Sequence, residues 1–125
     1  MSFIVNSIRR AFSSSSSPEN VAKAKETVET MIQSPNAIAV FSKSYCPYCT
    51  EAKHILKGAG QEGRMQVIEL DREMHGSAIQ AYLAEKQGAS KVTVPQIYIN
   101  GRNIGGCSDL KQLRSSGKLD GLLAA

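Results

Sequence analysis

Apolar side chains at intervals of three and four residues predict three amphipathic helices. The first begins at Pro18, because proline suits the first helical turn, and it ends at Ser34-Pro35-Asn36. The second follows Cys49 and ends near Gly58 and Gly60, and the third ends at Gly88. The three apolar stripes consist of Val21, Ala24, Val28, Met31 and Ile32; of Ala52, Ile55, Leu56 and Ala59; and of Ile79, Tyr82 and Leu83.

Strand-like segments alternate with these helices. Residues 37–41 form a continuous apolar run, which is typical of a strand buried on both faces. Residues 65–70 form the next strand. Residues 96–100 alternate polar and apolar side chains, and Asn100-Gly101 favours a tight hairpin turn after which residues 102–105 pair back.

The order of the elements predicts the architecture. A helix is followed by a strand-helix-strand unit, which should be parallel, and then by a helix, a hairpin and a last helix. Ser108 or Asp109 is expected to cap that last helix, and Gly117 to end it. The pattern predicts an α/β domain over residues 18–125, with a central four-stranded mixed sheet flanked by helices.

Composition narrows the class of protein. A chain of 125 residues with 42% hydrophobic and 21% charged residues is an ordinary globular domain, which excludes a disordered or fibrous protein. The chain has no apolar run long enough to span a membrane. Its net charge is +4, but the basic residues are spread along the chain, so no nucleic-acid surface is expected.

Residues 1–17 differ from the rest of the chain. Ile4, Ile8 and Phe12 recur at helical spacing beside Arg9 and Arg10, serines follow, and acidic residues are absent. This composition predicts a mitochondrial transit peptide, and the sequence at positions 10–13 resembles a matrix-protease cleavage site. The alternative is a flexible tail on a cytoplasmic protein, or a protein that resides in both compartments.

The candidate chemistry lies in a Cys-x-x-Cys motif. Three cysteines do not make a disulfide scaffold, and the chain lacks the four ligands that a structural zinc site needs. Cys46 follows a buried strand, and Pro47 opens a helix, which places Cys46 at the helix N-cap. Backbone N–H groups and the helix dipole there favour a thiolate, and Lys43 adds a nearby positive charge. We therefore expect Cys46 to be the thiolate that attacks a substrate disulfide, and the buried Cys49 to be the thiol that resolves the resulting mixed disulfide.

Three segments resemble the signatures of a dithiol glutaredoxin: residues 43–49 (Lys-Ser-Tyr-Cys-Pro-Tyr-Cys), Thr93-Val94-Pro95, and residues 105–109 (Gly-Gly-Cys-Ser-Asp). The resemblance extends from about residue 20 to residue 122. It implies a thioredoxin-like fold and a glutathione-dependent oxidoreductase that forms a redox-active Cys46–Cys49 disulfide. Such an enzyme reduces protein–glutathione mixed disulfides and protein disulfides, and glutathione reductase with NADPH regenerates the glutathione.

The resemblance also implies a glutathione site. Pro95 should follow a cis peptide bond that leaves the Val94 backbone free to pair with glutathione, and Cys107 is either a small filler or a regulatory thiol. Two departures concern this site: residues 89–92 are about two residues longer than in the family, and Val92 stands where a basic residue is usual. The implied glutathione-binding residues are Lys43, Tyr48, Gln80, Val94, Pro95, Gly106, Cys107, Ser108 and Asp109.

The resemblance leaves one alternative open. Some glutaredoxins form a dimer around a [2Fe–2S] cluster, with the first cysteine of each chain and two glutathiones as ligands. Pro47 stiffens the loop after Cys46 and disfavours this arrangement. We therefore expect a monomer without bound metal, and glutathione as a co-substrate.

Overall fold

The computed structural model describes residues 17–125, which contain five α-helices and four strands. Within them, no helix is long and apolar enough to cross a membrane. Single 3₁₀ turns at Glu62–Arg64 and Leu70–Arg72 lie on either side of the second strand. The elements are α1 (Pro18–Gln33), β1 (Ile38–Ser42), α2 (Pro47–Gly58), β2 (Met65–Glu69), α3 (Gly76–Lys86), β3 (Gln96–Ile99), β4 (Arg102–Gly105), α4 (Cys107–Ser115) and α5 (Leu119–Ala124).

The first helix begins where the sequence predicts. The Ser17 hydroxyl accepts a hydrogen bond from the backbone N–H of Asn20 at 3.2 Å, and Pro18 occupies the first turn. This capping satisfies one of the N–H groups that have no partner within the helix. The predicted transit peptide precedes this cap, and apart from Ser17 it lies outside the described residues.

The strands form one mixed sheet in the order β2-β1-β3-β4. Strand β1 pairs with β2 in parallel and with β3 antiparallel, and β3 and β4 form the hairpin. Asn100 and Gly101, in the turn of that hairpin, have φ angles of 52° and 83°, which Asn and Gly tolerate best. The predicted four-stranded mixed sheet and its hairpin are confirmed.

Helices cover both faces of the sheet. Helices α1 and α3 pack on one face around Phe41 and Tyr98, whose rings meet edge to face with centroids 6.1 Å apart. Helices α2, α4 and α5 pack on the other face around Val40, Leu56 and Leu110. Residues 38–41 of β1 are buried, as the continuous apolar run predicts, and Ser42, which follows that run, is buried as well.

Two features of the fold were not indicated by the sequence. All four residues of β3 are buried although polar and apolar side chains alternate along the segment, because β3 is an inner strand with helices on both sides. The sequence pattern also did not indicate α5. Its end is held by distant polar groups: Arg64 donates to the Leu123 carbonyl at 2.8 Å, and Asn100 donates to the Ala125 carbonyl at 2.7 Å.

Candidate active site

Cys46 is the N-cap of α2, as predicted. Strand β1 ends four residues earlier, and Pro47 takes the first helical position. The Cys46 Sγ accepts a hydrogen bond from the backbone N–H of Cys49 at 3.3 Å. The residue is half-buried, so the sulfur combines access for a reactant with the positive end of the helix dipole. This is an environment that stabilises a thiolate.

Cys49 lies one turn further along α2 and is fully buried. Burial, followed by its hydrogen bond to Cys46, raises the pKa of the Cys49 thiol to about 11. A neutral thiol is the favoured form in such surroundings. The two cysteines therefore differ in access, and burial keeps Cys49 as the neutral thiol, which fits the assignment of Cys46 as the attacking thiol and Cys49 as the resolving thiol.

The loop before Cys46 is anchored by Asp71. The Asp71 carboxylate accepts hydrogen bonds from the hydroxyl and from the backbone N–H of Ser44, the latter at 2.8 Å. These two bonds hold the pKa of Asp71 below its usual value. The backbone N–H of Cys46 in turn donates to the Lys43 carbonyl at 3.1 Å, which fixes the turn that presents the thiol.

A second segment approaches the thiol from the start of β3. The peptide bond between Val94 and Pro95 is cis, as the resemblance predicted. The Val94 carbonyl oxygen lies 3.8 Å from the Cys46 Sγ. Pro95 is buried, whereas Val94 is half-buried and Thr93 is exposed. We call Thr93, Val94 and Pro95 the ledge.

A cleft of about 540 Å³ adjoins the ledge. It extends from Tyr48 to the N-terminus of α4. Cys46 does not line the cleft itself, but its Sγ lies 3.8 Å from the carbonyl oxygen of Val94, which does. Lys43 and Gln80 do not line it. Gln80 instead donates from Nε2 to the Val92 carbonyl at 2.9 Å. The predicted glutathione ligands that the structure brings together here are Tyr48, Val94, Pro95, Gly106, Cys107, Ser108 and Asp109.

The two departures from the family pattern lie beside this cleft rather than in it. Val92 is half-buried and packs against the apolar cluster between the sheet and helices α1 and α3. Lys91 is exposed and does not line the cleft. The described residues thus place no basic side chain at the position directly before Thr93.

The cap of α4 differs from the one predicted. Gly106, not Ser108 or Asp109, is the N-cap, and the Asp109 carboxylate accepts a hydrogen bond from the Gly106 N–H at 2.9 Å. An acidic side chain at the third position of a helix commonly accepts a hydrogen bond from the N-cap N–H in this way. The N–H groups of Cys107 and Ser108 belong to the first turn, where a helix supplies no partner, and both residues line the cleft.

Two glycines make this cap possible. Gly105 has a φ angle of 102°, and a Cβ there would lie 2.2 Å from an Asp109 carboxylate oxygen. A Cβ on Gly106 would lie 3.3 Å from the Pro95 carbonyl. The absence of a side chain at Gly105 therefore lets the backbone reach its capping acid, and the absence of one at Gly106 lets it lie close to the ledge without a tight contact.

Cys107 is buried at the wall of the cleft and is hydrogen-bonded to Glu51. The Cys107 Sγ lies 3.5 Å from one Glu51 carboxylate oxygen, and the Lys111 ammonium lies 3.0 Å from the other. Burial, followed by the charge of Glu51, raises the pKa of the Cys107 thiol. The described contacts thus favour the neutral thiol at this position.

Gln87, Gln96 and Lys111 also line the cleft, although no sequence motif marked them. Gln96 gave one usable signal, since it is a polar residue that directly follows the Thr93-Val94-Pro95 segment. Gln87 follows the last turn of α3 and gave none. Its contribution depends on the packing of α3 against β3, which a local pattern does not encode.

A cysteine pair at a helix N-terminus, beside a cis-proline and on a four-stranded mixed sheet, defines a thioredoxin-like thiol oxidoreductase. Comparison with known proteins narrows this class. The family model described as glutaredoxin matches residues 38–104. The chain therefore belongs to the glutaredoxin family.

Individual relatives agree with the family assignment. Glutaredoxin-1 of Rhizophagus irregularis is 44% identical over 105 residues, which cover 84% of this chain and 99% of the relative. Glutaredoxin-2 of Schizosaccharomyces pombe is 48% identical over 101 residues, covering 81% and 87% of the two chains. A crystal structure of a buckwheat glutaredoxin–glutathione complex matches with a TM-score of 0.77 and 37% identity, covering 86% of this chain and 94% of that one.

Proposed function

We propose that this protein is a glutathione-dependent thiol–disulfide oxidoreductase that reduces protein–glutathione mixed disulfides and protein disulfides through a Cys46 thiolate. The observation that carries the proposal is the position of the Cys46 Sγ. It lies at the N-terminus of α2 and 3.8 Å from the Val94 carbonyl, next to a cleft of about 540 Å³. The cleft offers the backbone donors and acceptors that a small peptide requires.

Glutathione is a tripeptide with two carboxylates, and the cleft provides separate groups for its parts. The Val94 backbone would pair with its cysteine, as a neighbouring strand does. The N–H groups of Cys107 and Ser108, at the positive end of α4, would bind the γ-glutamyl carboxylate, and Asp109 would face its amine. Lys43 and Gln80 are proposed for the glycyl carboxylate, which requires Gln80 to exchange its bond to Val92.

Reduction of a mixed disulfide proceeds by two thiol–disulfide exchanges. The Cys46 thiolate attacks the glutathione sulfur, the substrate's S–S bond breaks, and the substrate cysteine leaves as a thiolate that takes up a proton. A second glutathione thiolate then attacks the Cys46–glutathione disulfide, which releases oxidised glutathione and restores Cys46. Glutathione reductase returns the oxidised glutathione to two thiols with electrons from NADPH.

Protein disulfides require Cys49 as well. After Cys46 has attacked such a disulfide, it carries no charge, so its contribution to the raised pKa of Cys49 is lost. Burial still raises the pKa of Cys49, so Cys49 ionises transiently, gives its proton to solvent and attacks the neighbouring Cys46 sulfur; this expels the second substrate sulfur and forms the Cys46–Cys49 bond. Two glutathiones reduce that bond. The raised pKa of Cys49 in the resting state thus keeps it from competing with Cys46.

The test is NADPH consumption during reduction of a glutathionylated peptide in the presence of glutathione and glutathione reductase. The wild-type protein should turn over, Cys46→Ser should be inactive, and Cys49→Ser should retain activity on this substrate. With a protein disulfide as substrate, Cys49→Ser should also lose activity. An inactive wild type, or an active Cys46→Ser variant, would refute the proposed function.

We further propose that the enzyme acts as a monomer without bound metal, and that residues 1–17 direct it to mitochondria. The composition of those residues supports the second proposal. Fusion of residues 1–17 to a fluorescent reporter tests it directly. Mitochondrial fluorescence is the expected result, and a diffuse cytoplasmic signal would favour the alternative.

A further inference from the structure

Two glutamine side chains connect the ledge to the end of α3. The Gln96 Nε2 donates a hydrogen bond to the Thr93 carbonyl at 2.8 Å. The Gln96 Oε1 accepts one from the Nε2 of Gln87, also at 2.8 Å. The Thr93 carbonyl accepts only from the amide nitrogen, since the opposite orientation would place the Gln96 oxygen against it, and the bond from Gln87 holds the Gln96 amide in this orientation.

Packing alone does not account for Gln96. Among the described residues, Ser42 and Gln96 are the buried polar ones, and Gln96 is only 7% exposed. It stands on an inner strand, opposite Phe41 of β1. Burial of an amide is unfavourable unless both of its ends are hydrogen-bonded, so an apolar residue would be the simpler choice for this buried position at the wall of the cleft. Its two bonds instead point to a role in holding Thr93.

The Thr93 carbonyl and the Val94 N–H belong to one peptide group. A peptide group is planar. Among the described residues the cis peptide bond is the one between Val94 and Pro95, so the bond between Thr93 and Val94 is trans. In a trans peptide the N–H points away from the carbonyl oxygen. A bond that fixes the Thr93 oxygen therefore also fixes the direction of the Val94 N–H.

We propose that Gln96 is a positioning residue that orients the Val94 N–H toward the glutathionyl group of the substrate, with Gln87 fixing the Gln96 amide. This inference rests on the proposed function, because it assumes that glutathione pairs with Val94. Gln96 acts through the ledge and not on the reacting sulfurs. It should therefore matter for disulfides that carry glutathione and not for the reactivity of Cys46 itself.

The test compares three reactions of Cys46, each measured as a second-order rate constant. The reactants are a glutathionylated peptide, the same peptide as a mixed disulfide with 2-mercaptoethanol, and iodoacetamide. Gln96→Met, which keeps the side-chain length but removes both bonds, should slow the first reaction about five- to tenfold and leave the other two unchanged. Gln87→Met alters an exposed residue and should give a smaller loss of the same kind.

Gln66→Met, at an exposed glutamine on the edge strand β2, is the matched control and should change none of the rates. Equal losses in all three reactions for Gln96→Met would show a merely structural role and overturn the inference. Unchanged rates in Gln96→Met and Gln87→Met would also overturn it. A wild-type protein with no preference for the glutathionylated peptide would instead refute the proposed function, and the inference with it.

Discussion

The Cys46 sulfur and the Val94 carbonyl oxygen lie 3.8 Å apart, although the two residues are 48 positions apart in sequence. The N-terminus of α2 brings one of them to this point, and the segment entering β3 brings the other. Because β1 and β3 are adjacent strands of the sheet, both segments are held by the core. The sheet thus sets the distance between the thiol and the backbone proposed to hold its substrate.

The first prediction concerns the order in which the cysteines react. Iodoacetamide at pH 7 should modify Cys46 first, because Cys49 and Cys107 are buried and the pKa of each is raised. Labelling of Cys49 should accelerate as the pH rises toward 11, where its thiol ionises. Peptide mapping by mass spectrometry measures this order.

Cys46→Ser provides the control for that experiment. Burial is the largest cause of the raised pKa of Cys49, so Cys49 should stay slow to react at pH 7 even without Cys46. Rapid labelling of Cys49 in this variant would contradict the account of the two thiols.

The second prediction concerns Gly105. Gly105→Ala should lower the free energy of unfolding by about 1–3 kcal/mol, because the φ angle of 102° is strained for alanine and the new Cβ meets Asp109. Glutathione binding should weaken too, since Asp109 closes the cap of α4. Urea unfolding measures the first effect, and calorimetric titration measures the second.

Gly58→Ala is the matched control, because a Cβ there would meet nothing within 4 Å and the residue ends a helix. It should leave binding unchanged and stabilise the protein by about 0.5 kcal/mol or less. If both alanine variants behaved alike, the importance of the close contact between Gly105 and Asp109 would be refuted.

The third prediction concerns pH and stability. Glu29 of α1 accepts hydrogen bonds from the Tyr82 hydroxyl at 2.6 Å and from the Lys86 ammonium at 2.9 Å, both on α3. These bonds lower the pKa of Glu29 from 4.5 to about 2, and the bond from Tyr82 has the larger effect. Its stabilisation is therefore complete above pH 4.5 and is lost as the pH falls toward 2.

Glu29→Gln should cost about 1–2 kcal/mol at pH 7, and the difference from wild type should shrink between pH 4.5 and pH 2. Urea unfolding across this pH range is the measurement. Glu26→Gln, an exposed position on the same helix, should have little effect. A deficit for Glu29→Gln that stayed constant down to pH 2 would contradict the ionic role of Glu29.

The fourth prediction concerns the [2Fe–2S] alternative. Protein purified anaerobically from an iron-replete host should be colourless, because Pro47 at the first position of α2 stiffens the backbone next to Cys46. Visible absorption spectroscopy with iron analysis checks this. Charge-transfer bands in the unmodified protein would favour the cluster-bridged dimer instead.

Local sequence signals were sufficient to predict those features whose backbone geometry depends on residues next to one another in the chain. Pro47 predicted the start of α2 and with it the N-cap position of Cys46, and Asn100-Gly101 predicted the hairpin. The continuous apolar run of β1 predicted its burial on both faces. These features depend on residues close in sequence, whose preferences can be assessed one segment at a time.

Features that depend on distant partners were not predictable in this way. The short helix α5 has few internal bonds, and contacts from Arg64 and Asn100 hold its end. The Gln96 amide is satisfied by Gln87, on another element. The bond between Gln80 and Val92 likewise depends on how α3 meets the segment before the ledge.

The most direct test of the proposed function uses the Cys49→Ser protein and one equivalent of a glutathionylated peptide, without free glutathione. Intact-mass spectrometry should show a protein heavier by one glutathionyl group, and peptide mapping should place that group on Cys46. The released peptide should carry a free thiol. A protein bonded to the peptide instead of to glutathione, or one modified at Cys107, would contradict the account.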